Sequence, residues 1–121
     1  MSDQPEFTFL NAPTISERFD RWAHTPGGRR VLQIAYAITA QYARRHKRTG
    51  RQVSIRLVWE KLRDSVGIIR SQLHRKGIKL EKEHGFALND HFHSRLARHM
   101  LAHKPEWAGL FCLRELKEDH E

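Results

Sequence analysis

Residues 29–48 read RRVLQIAYAITAQYARRHKR, and this stretch decides the architecture. Val31, Ile34, Ala35, Ile38 and Tyr42 recur at helical spacing, while Leu32, Tyr36, Ala37 and Ala43 widen the stripe. An apolar face this broad belongs to a central helix packed on more than one side. Thr49-Gly50 closes it, glycine being favoured just past a helix end. The last turn, Arg44-Arg45-His46-Lys47-Arg48, carries more charge than a helix end requires. Each cation there complements the helix dipole by only ~0.3–1 kcal/mol, so one or two would suffice. The surplus asks for another reason.

Towards the N-terminus, Thr14 opens a helix with Glu17 three residues on, the capping-box arrangement. Ile15, Phe19 and Trp22 give it one apolar stripe. His24-Thr25-Pro26-Gly27-Gly28 reads as a break, since two glycines after a proline disfavour a helix interior. Residues 1–13, punctuated by Pro5, Asn11 and Pro13, read as an arm whose Phe7, Phe9 and Leu10 tuck onto the core. Residues 14–121 then form a single helical domain, as a chain of 121 residues allows one core.

Towards the C-terminus, Ser54 is a good N-cap for a third helix, with Ile55, Val58, Trp59 and Leu62 on one face. The spacing predicts a bend or stop at Asp64–Gly67 and a short helix from Ile68 to Lys76, ended by Gly77. Ile78-Lys79-Leu80-Glu81 alternates like a half-buried strand, and Phe86-Ala87-Leu88 is placed to pair back as a hairpin. Asn89-Asp90 caps a last helix carrying Phe92, Leu96, Ala97 and Met100, and Pro105 stops it after His103. Trp107, Leu110, Phe111, Leu113 and Leu116 add apolar weight to a strand or a final helical turn. The fold class expected is mainly α, or α+β with a small hairpin. A helix-turn-helix or winged-helix variant is the candidate topology: helices from Ser54 and Asn89 as the pair, Leu110–Leu116 as the wing.

Hydrophobic residues make up 39% of the chain, with three Trp, six Phe and two Tyr, which argues against disorder. No apolar run approaches the ~18 residues of a membrane span. One cysteine, Cys112, cannot form an internal disulfide, which fits a reducing compartment with the cytoplasm as default. The net charge of +8 is unevenly spread. Residues 29–82 carry fifteen Lys/Arg against Glu60, Asp64 and Glu81, whereas the segments on either side are each mildly acidic. A charge run is ordinarily a solvated face, but this imbalance costs self-repulsion that a polyanion would relieve.

The candidate nucleic-acid contacts are therefore Arg44, Arg45, Lys47, Arg48, Arg51, Arg56, Arg63, Arg70, Arg75 and Lys76, joined by Arg95 and Arg98 on the last helix. Cations so clustered meet phosphates by releasing counterions, which gives affinity without sequence choice. On the last helix, His91, Ser94, Arg95, Arg98 and Lys104 suit phosphates and base edges. DNA is the favoured partner over RNA.

Chemistry finds less support. His99 and His103 are spaced for one helix face, but HMLAH lacks the glutamate of the zinc-protease motif, and no CxxC exists. His84, Asn89 and His93 suggest a ββα-metal nuclease only faintly. The serines lack a nucleophile-elbow setting and Gly27-Gly28 is no phosphate loop. The expectation is a protein without catalytic residues, cofactor or metal.

The stretch Ser54–Arg63 (SIRLVWEKLR), then Phe86-Ala87-Leu88-Asn89-Asp90, Ala97-Arg98 and Pro105–Phe111 with Arg114, resembles a family of small uncharacterised bacteriophage and prophage proteins. With the helix from Arg29 the resemblance spans about two thirds of the chain, and residues 67–77 depart from it by added cations. It implies a phage context in a bacterial cytoplasm and no mechanism. Two functions follow as expectations: a non-catalytic nucleic-acid-binding accessory or regulatory protein, or an interaction module inhibiting a host defence nucleoprotein or enzyme, of the anti-CRISPR type.

Overall fold

In the computed structural model, residues 12–79 and 85–112 are described. They form four α-helices: α1 (Ile15–Ala23), α2 (Pro26–Thr49), α3 (Ile55–Arg75) and α4 (His93–His103). Two 3₁₀ turns, Asp90–Phe92 and Pro105–Trp107, flank α4. Thr14 caps α1 by accepting from the Glu17 amide at 3.1 Å, and Ser54 caps α3 from the Leu57 amide at 3.4 Å. Both caps stand where their sequence signals put them.

The core runs along one seam of α2. Val31, Ala35 and Thr39 are all fully buried, four residues apart, and their small side chains let neighbouring helices approach. Ile55, Val58, Trp59, Leu62 and Val66 of α3 meet Leu96, Ala97 and Met100 of α4 around them. Thr39 keeps its buried hydroxyl satisfied by donating to Met100 Sδ at 3.3 Å. Phe19, Trp22 and Phe92 close the α1 end with ring centroids 5.5 Å apart. The broad apolar face of α2 thus has its reason: α1, α3, α4 and the Pro105–Trp107 turn all lie against this helix. No described helix is long and apolar enough to cross a membrane.

Three sequence expectations are corrected. The pair Gly27-Gly28 does not end a helix but begins one. Thr25 is the N-cap of α2, Pro26 sits in its first turn, and both glycines are buried. A Cβ on Gly28 would overlap the Trp22 carbonyl, and one on Gly85 would overlap the Thr25 hydroxyl, so glycine is what lets three segments meet. The Trp22 indole N–H donates to the Gly85 carbonyl at 2.8 Å across this junction.

Second, α3 neither bends nor stops at Gly67. Its ladder continues to Arg75, because Val66 on its inner face stays in the core while Gly67 lies on the open side.

Third, the hairpin and the winged-helix variant find no support, since no strand forms among the described residues. Gly77, at φ +78°, donates to His74 and Ile78 donates to Leu73, each at 3.0 Å. This Schellman closure of α3 consumes the amide that a strand at Ile78 would need. Phe86–Leu88 are not in a strand either, and Leu80–His84 lie outside the described residues. Leu110 and Phe111, expected in a wing, are fully buried, and Val53 donates to the Leu110 carbonyl at 2.8 Å. Val53 and Phe111 make a single parallel bridge, which is not a sheet. Leu113 to Leu116 and the arm's Phe7, Phe9 and Leu10 also lie outside the described residues.

Candidate nucleic-acid interface

A cluster of cations forms where α2 hands over to α3. Arg44, Arg45, Lys47 and Arg48 occupy the last two turns of α2, and all four are exposed. At 100° per residue they span an arc of about 160°, centred opposite the buried Val31–Ala35–Thr39 seam. The core therefore takes one side of α2 and leaves the other to charge.

The loop that follows is fastened rather than loose. Gly50, at φ +72°, ends α2 with its amide donating to His46 at 2.7 Å. The Arg51 amide donates to Thr49 Oγ1 at 3.2 Å, and its carbonyl accepts from His46 Nδ1 at 2.6 Å. Val53 is then tied to Leu110, and Gln52 Nε2 donates to the Gly109 carbonyl at 3.5 Å. Arg51 is thus presented by backbone held on both sides, which lowers the ordering cost of a contact there. The α2 carboxyl end contributes a partial negative charge, equivalent to roughly half an electron. Four full cations on its last two turns, with Arg51 beyond, more than offset it.

The remaining expected contacts do not join this cluster. Arg56, Arg63 and Arg70 recur every seven residues on α3, about 10 Å apart, so they form a stripe along one flank. Lys61 and Ser65 share a groove of about 390 Å³ with Ile38, Tyr42 and Arg45 and so mark the flank turned to α2. Angular spacing puts the arginine stripe on roughly the opposite flank. Its middle member is committed internally: Arg63 and the Trp59 indole both donate to Asp90 Oδ1. The bonds from Trp59 and Arg63 hold the Asp90 carboxyl below the usual carboxylate range, against a small opposing push from burial. Arg75 and Lys76 end α3 about 30 Å from the α2–α3 loop. Arg70, Arg75 and Lys79 rim a second groove there with His74 and Ile78.

The last helix does not present the face expected of it. Ser94 is 2% exposed and belongs to the core, so it reads no base edge. Arg95 and Arg98 line a shallow groove with Ser16 and Asp20 of α1, away from the α2–α3 loop. His99 and His103 do stack, with centroids 4.2 Å apart, but the pair is already used. The Tyr36 hydroxyl and His99 Nδ1 share a hydrogen bond at 2.9 Å, and His103 Nδ1 donates to the His99 carbonyl at 2.8 Å. Burial pushes the His99 pKa down, the neighbouring His103 adds to this, and Asp20 opposes it. Burial likewise raises the Tyr36 phenol. No group of three His, Cys, Asp or Glu side chains is arranged for a metal among the described residues.

One side chain beside the cation cluster escaped the sequence reading. Trp107 packs against the core as its apolar character implies, but it is only half-buried and also walls a groove of about 630 Å³ beside Arg44 and Lys47. The available signal was its place between Pro105 and Gly109, a turn composition, since connecting segments run over the surface. Comparison with protein-family models, with curated proteins and with solved structures found no match.

Proposed function

We propose that the protein is a non-catalytic nucleic-acid-binding accessory or regulatory factor of phage or prophage type, contacting phosphates through the α2–α3 tip. The observation that carries this reading is the cluster of Arg44, Arg45, Lys47, Arg48 and Arg51, exposed on one fastened end of the molecule. Arg56 heads the separate stripe along the flank of α3. Arg63, Arg70, Arg75 and Lys76 extend along α3 as a secondary track, and Arg95 and Arg98 are peripheral. DNA is the favoured polymer, and no cofactor is called for.

The test is binding as a function of salt. Each neutralised phosphate contributes a slope of about 0.9 on duplex DNA in a plot of log affinity against log salt. Replacing Arg44, Arg45 and Arg48 together by Ala is expected to flatten that slope by up to about 2.7. Arg95→Ala with Arg98→Ala should leave it nearly unchanged. Binding that ignores salt, or is absent, defeats the reading.

A second reading, a phage-encoded inhibitor of a host nucleoprotein or enzyme, is favoured by Leu57, Ile68 and Ile78, which are 41–59% exposed among the cations of α3 and its end. A stoichiometric protein partner that survives nuclease treatment would select it.

A further inference from the structure

The groove beside the cation cluster has a build unlike an ordinary charged surface. Ala40, Ala43 and Leu110 give it apolar lining, and Trp107 forms one wall. Arg44 and Lys47 stand on the α2 side, at i and i+3, with Glu106 on the other. The Trp107 indole packs on Tyr36, with centroids 5.9 Å apart and planes inclined by 32°. Trp22 spends its indole N–H on the buried Gly85 carbonyl and Trp59 on the exposed Asp90 carboxylate, whereas Trp107 Nε1 has no acceptor among the described residues.

The wall is also held in place. Trp107 donates to Lys104 at 2.9 Å, Leu110 donates to Trp107 at 2.9 Å, and the Val53–Leu110 bond ties the turn to the loop bearing Arg51. An indole fixed in a groove, with two guanidinium or ammonium groups alongside, matches a planar heterocycle joined to an anion. The volume, about 630 Å³, falls in the usual range for small-molecule sites.

We infer that this groove seats one unpaired nucleobase of a single-stranded nucleic acid, stacked on Trp107, with Arg44 and Lys47 on the adjoining phosphates. The inference rests on the phosphate-binding reading above and narrows it: the preferred ligand has an unpaired base rather than a continuous duplex. Glu106 repels phosphate from the far rim and accepts from a base N–H, so it orients the nucleotide. Stacking of this kind tolerates any base, because every base has a π-face.

The probe is a deoxythymidylate oligomer of about 10 nucleotides, within the length range of single-strand sites, beside an abasic chain of the same length. Anisotropy titration of the full chain at low salt should show the base-bearing oligomer binding roughly tenfold or more tighter. Trp107→Ala should erase that difference while leaving the salt slope intact, and Trp107→Phe should keep most of it. The two oligomers on the wild-type protein make the comparison even where a variant folds poorly. Equal affinity for the two chains overturns the base seat and leaves the phosphate-binding reading standing. A blunt duplex bound better than the oligomer also overturns the seat. Failure of every probe to bind in a salt-dependent way removes both.

Discussion

Two glycine-to-alanine substitutions in helices are expected to act in opposite directions. At Gly67, in the middle of α3, nothing beyond the helix's own adjacent backbone lies within 4 Å of where a Cβ would stand. Alanine there recovers helix propensity, so Gly67→Ala is expected to stabilise by about 0.8–1 kcal/mol. At Gly28 the added carbon meets the Trp22 carbonyl. That oxygen accepts from the Thr25 amide at 3.0 Å and the Thr25 hydroxyl at 2.6 Å, while the same hydroxyl caps Gly28 at 2.9 Å. Displacing the carbonyl loosens all three bonds, at about 1 kcal/mol each. Less the propensity gain of about 1 kcal/mol, Gly28→Ala should cost about 2 kcal/mol. For a domain of this size each kcal/mol moves the melting temperature by about 3–5 °C. Thermal melts followed by circular dichroism should therefore show Gly67→Ala raised by about 3–5 °C and Gly28→Ala lowered by about 6–10 °C. A Gly28→Ala protein at least as stable as wild type would refute the close approach of α1 and α2.

Three further outcomes follow from the packing and titration. Leu62→Ala removes a fully buried side chain from the α3 seam and should cost about 3–5 kcal/mol in urea unfolding. His99 has a folded pKa below its unfolded value, so the native state takes up its proton less readily. Stability should be fully present above about pH 6.5 and decline as pH falls below it, and His99→Gln should lessen that decline. For Asp90 the folded pKa is likewise depressed, so its contribution is present above about pH 4 and lost at more acid pH. In an NMR titration Arg63→Ala should bring the Asp90 carboxyl back towards its ordinary value.

Much of the helical framework was legible because its signals are local. Thr14 and Ser54 declare helix starts through side chains that reach three residues on, and the stripe from Val31 to Tyr42 reports a face several elements cover. What the sequence hid is set by contacts between distant residues. Gly28 looks like a breaker until Trp22 and Gly85 are seen to crowd it. Ile78 alternates like a strand, but the end of α3 claims its amide first. Leu110 and Phe111 pass for an edge element until Val53, 57 residues before Leu110, is found beside them. For the site, charge density pointed to the α2 terminus, where the exposed cluster lies. Angular position then separated Arg63 and Arg70 from it, and Ser94 turned inward, which a count of cations cannot foresee.

The tie between Val53 and Leu110 has a consequence for the order of events during synthesis. Helices α2 and α3 lie next to each other in the chain, so their pairing needs only residues already made. The fastening of their loop waits for a segment 57 residues further on. At about 5–20 residues per second that delay is roughly 3–11 s. For those seconds the nascent chain carries its densest positive charge on a connector whose final anchor is still inside the ribosome, itself a body of polyanion.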